Sequence, residues 1–132
     1  MLILRFDFRL GPQSSAQMHE LYAASLDMLE WGEAHGAMMG LFSEHHGSAD
    51  GYLPSPIVMA AAAATRTSTL PINVGALLAL MYDPVKLAED MIVLDHLSQG
   101  RVTYTLGLGY RDEEYAMFGV DPSRRGAIMD ER

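Results

Sequence analysis

Cysteine is absent from the 132 residues. Disulfides, thiolate nucleophiles and cysteine-based metal sites are therefore excluded. Lysine is almost absent too: Lys86 stands alone in a chain of net charge −8. Binding to a nucleic-acid backbone relies on clustered lysine and arginine, so that partner class is not expected. The other cations are mostly isolated arginines, which suit local pairing or a single ligand phosphate. Long apolar runs are missing as well. Apolar residues make up 49% of the chain, yet none of them builds a span of membrane length. The opening MLILRFDFRLG lacks the basic flank, the long apolar centre and the cleavage site of a signal peptide. These absences lead to the expectation of a soluble, cytoplasmic protein with no membrane partner. No long linker or low-complexity segment interrupts it, so residues 1–132 read as a single domain segment.

What is present is a repeating grammar. Leu2 to Phe8 alternates: Leu2, Leu4, Phe6 and Phe8 share one face, Ile3, Arg5 and Asp7 the other. That is a strand period. Gly11 and Pro12 break it, and Ser14 with Gln17 fits a capping box. Met18, Leu21, Tyr22, Ser25, Met28, Leu29 and Gly32 follow at helical spacing, with Gly36 as the stop. Met38 to Phe42 reads as a buried strand. Ser55-Pro56 starts a helix over Ile57 to Thr65, with proline at its first position. Pro71 to Leu80 is a third strand. Asp83-Pro84 starts a helix to about Leu97, closed by Gly100. Arg101 to Leu106 is a fourth strand, Gly107 to Arg111 a loop and Asp112 to Phe118 a short helix. Asp121-Pro122 opens one more.

Strands thus recur every ~30–35 residues, the size of a βαβ unit. Strict alternation of strand and helix means a parallel sheet covered by helices. Two architectures answer that description: an open doubly wound sheet, or a (β/α)8 barrel. Four strands do not close a barrel, which needs eight and usually about 250 residues. The closing RRGAIMDER reads as the first turns of a longer amphipathic helix, which points to the N-terminal half of a barrel. Such a segment leaves its first and fourth strands with unpaired edges.

The stretch SEHHGSADGYLPSP places Glu44, His45 and His46 together just after an apolar run. A locally paired loop, a metal site and a proton-transfer site are three readings of it. The metal reading suffers because adjacent side chains at a strand end point apart and the His-Glu-x-x-His helix pattern is missing. Proton transfer suits an imidazole that titrates near neutral pH. After the fourth strand, LGLGYR (Leu106 to Arg111) reads either as a tight turn or as a glycine loop admitting a phosphate or ring. It does not complete a dinucleotide fingerprint, since the third glycine would fall at Asp112.

Three segments carry a resemblance: EHHGSADGYLPSPIVMAAAAATRTSTLPINVG, DPVKLAEDMIVLDHLSQGRV and GLGYRDEEYAMFGVDPSRRG. They resemble the bacterial luciferase-like monooxygenase family, over the N-terminal half of a family member. The resemblance implies a (β/α)8 TIM barrel, here a half-barrel of about four βα units. It also implies reduced FMN or a reduced 8-hydroxy-5-deazaflavin coenzyme, and a flavin-dependent oxidoreductase, in this family often a monooxygenase acting with O2 on a small-molecule substrate. A homodimer through the second and third helices is implied too, for which the small side chains of AAAAATRT allow close approach. His45 matches the family's catalytic histidine, with Glu44 to orient it or keep it charged. Where the family often has an arginine between the two glycines, this chain has Leu108; Arg111 is then the substitute, beside Gly107 and Gly109, or the cofactor has a different tail. Some members carry a non-proline cis peptide beneath the ring, and the matching bond is Leu77–Leu78. No metal is expected.

Two further pairs are read as structural. Asp95 is expected to accept from Ser98 or Arg101 as a buried carboxylate, and Arg5 with Asp7 to form an ion pair. The competing functions are a non-catalytic pairing subunit of the same fold, a metal-dependent barrel hydrolase and a self-contained α/β binding domain.

Overall fold

A computed structural model describes all 132 residues. Four parallel strands form one sheet in the order β1-β2-β3-β4: β1 Ile3–Phe6, β2 Met39–Phe42, β3 Ile72–Leu78 and β4 Val102–Gly107. Between them run α1 Met18–Ala34, α2 Pro56–Arg66 and α3 Pro84–Ser98; α4 Asp112–Phe118 and α5 Arg125–Glu131 follow the last strand. The order never reverses. A doubly wound sheet reverses about a central crevice, whereas consecutive strands with helices outside are the staves of a barrel. No helix is long and apolar enough to cross a membrane.

The two sheet faces differ sharply. Phe42, Ile72 and Val74 are wholly buried on the helix side, in one core with Leu29, Ala60 and Ala63. The opposite face carries Arg5, Thr103 and Thr105, which are exposed. Period-two alternation therefore sorts a greasy outer layer from a polar inner one. In α2 the small Ala60, Ala63 and Ala64 are buried, which lets the helix lie close to the sheet.

Local signals fall largely where the sequence places them. Pro56 opens α2, and Asp83 Oδ1 accepts from Lys86 N at 3.0 Å ahead of Pro84. The first cap is displaced: Gln17, not Ser14, is the cap residue of α1, and its N–H donates to Glu20 Oε2 at 2.8 Å. β1 is shorter than Leu2 to Phe8, because Phe8 takes a left-handed φ of 63° and turns its ring inward. There it stacks with Phe6 and Phe42 and meets Tyr22 edge-on. That turn also undoes the expected Arg5–Asp7 pair. Asp7 pairs with Arg9 at 2.8 Å, and Arg5 Nε donates to Ser43 Oγ at 3.2 Å. Asp95 is exposed, and the Ser98 hydroxyl donates to its backbone carbonyl rather than to its carboxylate. The turn into β4 is fixed instead by Arg101, whose guanidinium donates to the carbonyls of Ala64, Thr67, Leu70 and Ser98.

At the N-terminal end of the sheet, Glu33 gathers the turn between α2 and β3. Its carboxylate accepts from the N–H groups of Ser68, Thr69 and Leu70 and from the Thr69 hydroxyl. Burial alone would raise this carboxyl, but the backbone donors outweigh it and hold it below its ordinary value of 4.5. A carboxyl lowered by folding stabilises above its ordinary value, and that contribution is lost as pH falls through the lowered one. Glu33→Gln should thus melt below the wild type at pH 7, with the gap closing as pH drops through the acid range. Thermal melts from about pH 2.5 to about pH 7 check it; a gap independent of pH would contradict it.

Candidate active site

Parallel strands bring all four C-terminal ends to one rim, the place where barrels of this architecture bind ligands. Four loops meet there: Asp7 to Arg9 after β1, Ser43 to His46 after β2, Ala79 to Tyr82 after β3 and Leu108 to Arg111 after β4.

Glu44 is the hub of this rim. Its side chain is fully buried. It accepts from Leu78 N at 2.6 Å, from the Tyr82 hydroxyl at 2.5 Å and from His46 Nε2 at 2.9 Å. A buried carboxylate is tolerable only when its lone pairs are met, and here donors from β2 and β3 loops meet them. Burial first, then the charge of Glu44, pushes the Tyr82 phenol well above its ordinary value of 10, so Tyr82 stays a neutral donor.

His45 has a different carboxylate. Its Nδ1–H donates to Glu114 Oε1 at 2.8 Å, and the same oxygen accepts from His46 N at 2.8 Å. Glu114 lies in the first turn of α4 and is buried, and its second oxygen, Oε2, has no partner. A carboxylate on Nδ1 fixes the tautomer and orientation of the ring and leaves Nε2 for chemistry. Nε2 lies 3.3 Å from the Tyr110 hydroxyl, from which the neutral ring accepts. The rings of Tyr52 and Tyr110 stand edge-on to it.

The expected orientation of His45 by Glu44 is therefore corrected: Glu44 holds His46, and Glu114 holds His45. The two imidazoles also face different compartments. His45 opens onto a hollow of about 390 Å³ at the strand ends, with Gly75, Ala76, Leu78, Gly107, Gly109 and Tyr110. His46 meets Phe118 edge-on and lines a larger hollow of about 650 Å³ between α2 and α3, beside Val93 and Leu97. Of these two, the smaller hollow is the candidate site, because it joins the ends of β2, β3 and β4 to His45. No three histidine, aspartate or glutamate side chains gather as metal donors.

The floor of the hollow corrects a second expectation. The non-proline cis peptide is Gly75–Ala76, not Leu77–Leu78. The β3–β4 register slips there: Gly75 faces Thr105 and Leu77 faces Leu106, leaving Ala76 unpaired. One extra residue resets the alternation. Leu77 consequently points into the core, fully buried, while Leu78 faces the hollow and donates its N–H to Glu44. Gly107 and Gly109 lie where expected. A Cβ on Gly107 would come within 2.8 Å of the Ala76 Cβ, and Gly109 has φ of 86°. Tyr115 pins this turn, its hydroxyl donating to the carbonyls of Leu108 and Gly109 at 2.8 and 3.0 Å. Arg111 lies outside the hollow, donating to Ser48 Oγ at 3.0 Å. The shallow floor of Gly75, Ala76, Gly107 and Gly109 suits a flat ring system.

Glu114, Tyr82, Tyr110, Gly75 and Ala76 are site residues that the sequence reading misses. Glu114 lies 69 residues from His45, and its only local signal is its place in an acidic first turn after the glycine loop.

The model of the family described as luciferase-like monooxygenase matches residues 3–132. Limonene 1,2-monooxygenase of Rhodococcus erythropolis is 33% identical over 88 residues, 67% of this chain and 23% of its own length. The monooxygenase RslO1 of Streptomyces bottropensis superposes with a TM-score of 0.85 at 30% identity, over 99% of this chain and 40% of that one. The oxygenating constituent of 3,6-diketocamphane monooxygenase from Pseudomonas putida, solved in complex with FMN, gives 0.79 at 24% identity, covering 89% of this chain and 32% of its own. The chain spans less than a third of the length of the curated relatives it matches, and its four strands correspond to half of a (β/α)8 barrel. On its sequence and its strand order, the chain belongs to the luciferase-like monooxygenase family.

Proposed function

We propose that this rim is part of the active site of a flavin- or deazaflavin-dependent oxidoreductase that acts on a small organic substrate and, with reduced FMN, works as a monooxygenase using O2. The observation that carries this reading is His45, held by a buried carboxylate through Nδ1 and turned with Nε2 toward a hollow floored by small residues. Reduced FMN, when bound, would supply two electrons to O2, one oxygen passing to the substrate and the other leaving as water, whereas a reduced deazaflavin would supply a hydride to the substrate. Leu108, in place of a guanidinium between the glycines, keeps the deazaflavin in view.

The chain's own residues have three tasks. Gly75, Ala76, Gly107 and Gly109 give a floor on which a flat ring can lie. His45 Nε2 gives or takes a proton at the hollow, with Tyr110 as its neighbour. Glu114 positions His45, while Glu44 locks the β2 and β3 ends together so that the hollow keeps its shape. Leu78 and Leu108 supply apolar wall against water. The exposed Val58, Ile92 and Val93 on α2 and α3 form the face through which we propose that two copies pair.

Anaerobic titration of the intact protein with each reduced cofactor, followed by O2-dependent product formation, tests the reading. His45→Ala should bind cofactor as the wild type does and lose turnover by about 10²–10⁴-fold; undiminished turnover would remove its role. Glu114→Gln should lower kcat by about 10²-fold through misplacement of the imidazole, leaving cofactor affinity unchanged. Equal kcat in that variant would make Glu114 a structural residue only.

A further inference from the structure

Beside the candidate site, cations gather in a chain that is otherwise acidic. Arg5, Arg9 and Arg111 line a hollow of about 480 Å³ that shares Arg5, His45, Tyr52 and Tyr110 with the site itself. Asp7 is the only carboxylate in its lining, and Arg9 claims it, with Nε at 3.0 Å and Nη2 at 2.8 Å from Oδ2. Asp50 adds a weaker pull on Arg9 from outside the hollow. Arg5 and Arg111 each donate only to a neutral hydroxyl, of Ser43 and Ser48, and Arg5 adds a weaker charge to the hold that Arg9 has on Asp7. By contrast, the guanidiniums of Arg101 and Arg132 are taken up by backbone carbonyls. Arg9 and Arg111 also share one aromatic platform, lying 5.5 and 5.9 Å from the centroid of the buried Tyr52 ring. Like charges brought over one ring repel, and an anion between them would offset that repulsion with charge-assisted, fork-shaped hydrogen bonds.

We propose that this rim binds an oxyanion, a carboxylate or phosphate, on the ligand that meets His45. Anchored there, the ligand would place its neighbouring atoms beside Nε2. The oxyanion has two chemical sources, the substrate or the tail of the cofactor. The proposal rests on the reading of the strand ends as a redox site for its purpose, but anion binding is measurable without turnover.

The test is calorimetric titration of the intact protein with inorganic phosphate and with acetate, together with FMN and riboflavin affinities. Wild type should bind phosphate, and Arg5→Met with Arg111→Met should weaken this at least about tenfold. Arg125→Met, on the exposed α5, should not change it. If the double variant does not fold, Arg5→Lys and Arg111→Lys singly should each weaken binding less than tenfold and detectably. Loss of the preference for FMN over riboflavin in the variant assigns the oxyanion to the cofactor tail; retention of that preference, with phosphate binding lost, assigns it to the substrate. No phosphate or acetate binding by the wild type, or binding unchanged in folded variants, overturns the proposal. Flavin or deazaflavin binding without anion binding defeats the rim alone, whereas anion binding by a protein that takes up neither flavin nor deazaflavin defeats the redox reading and leaves the rim standing.

Discussion

One buried carboxylate sets the geometry of the rim. Glu44 has no lysine or arginine beside it and is met by an amide, a phenol and an imidazole. Those three donors come from the two central strands of the sheet and the turn behind them. A charge this deep tolerates no loose partner, since each unmet lone pair costs about 1–3 kcal/mol. The ends of β2 and β3 are thereby fixed against each other, and Leu78 is drawn to the mouth. The slip in register at Gly75–Ala76 is what makes the Leu78 amide available, because it turns Leu77 away into the core.

A second carboxylate then divides labour between the histidines. Glu114 arrives from a short helix after β4 and takes His45 by Nδ1 and His46 by its backbone N–H. Two adjacent imidazoles with separate carboxylates can serve separate compartments. His45 faces the strand-end hollow, and His46 faces the helix layer next to the apolar surface of α2 and α3. The site is thus built from the ends of several strands at once, and each loop supplies one element of it: charge from β1, imidazole from β2, floor and amide from β3, glycine turn and carboxylate from the segment after β4.

The sequence discloses the frame better than the contacts. Strand alternation, Ser/Asp-Pro helix starts and glycine stops are local, so the order of elements is legible without coordinates. His45, Gly107 and Gly109 are legible because a motif places them at strand ends. Leu77 is misread because a bulge shifts the face of a strand by one residue, and no residue type announces it beyond the glycine at 75. Asp95 misleads because a carboxylate near a serine and an arginine need not face either; Arg101 finds carbonyls instead. Arg5 and Asp7 separate because Phe8 turns the backbone and brings Arg9 round. Glu114 is hidden by sequence distance alone.

The proposed function comes down to one placement, a reduced flavin or deazaflavin ring resting on the Gly75–Ala76 and Gly107–Gly109 floor within hydrogen-bond reach of His45 Nε2. An anaerobic crystal structure of the intact protein with reduced cofactor measures this directly. The account predicts ring atoms against that floor and a polar atom of the cofactor or an adjoining water on Nε2. A ring bound in the groove between α2 and α3, or anywhere that leaves His45 untouched, would contradict it.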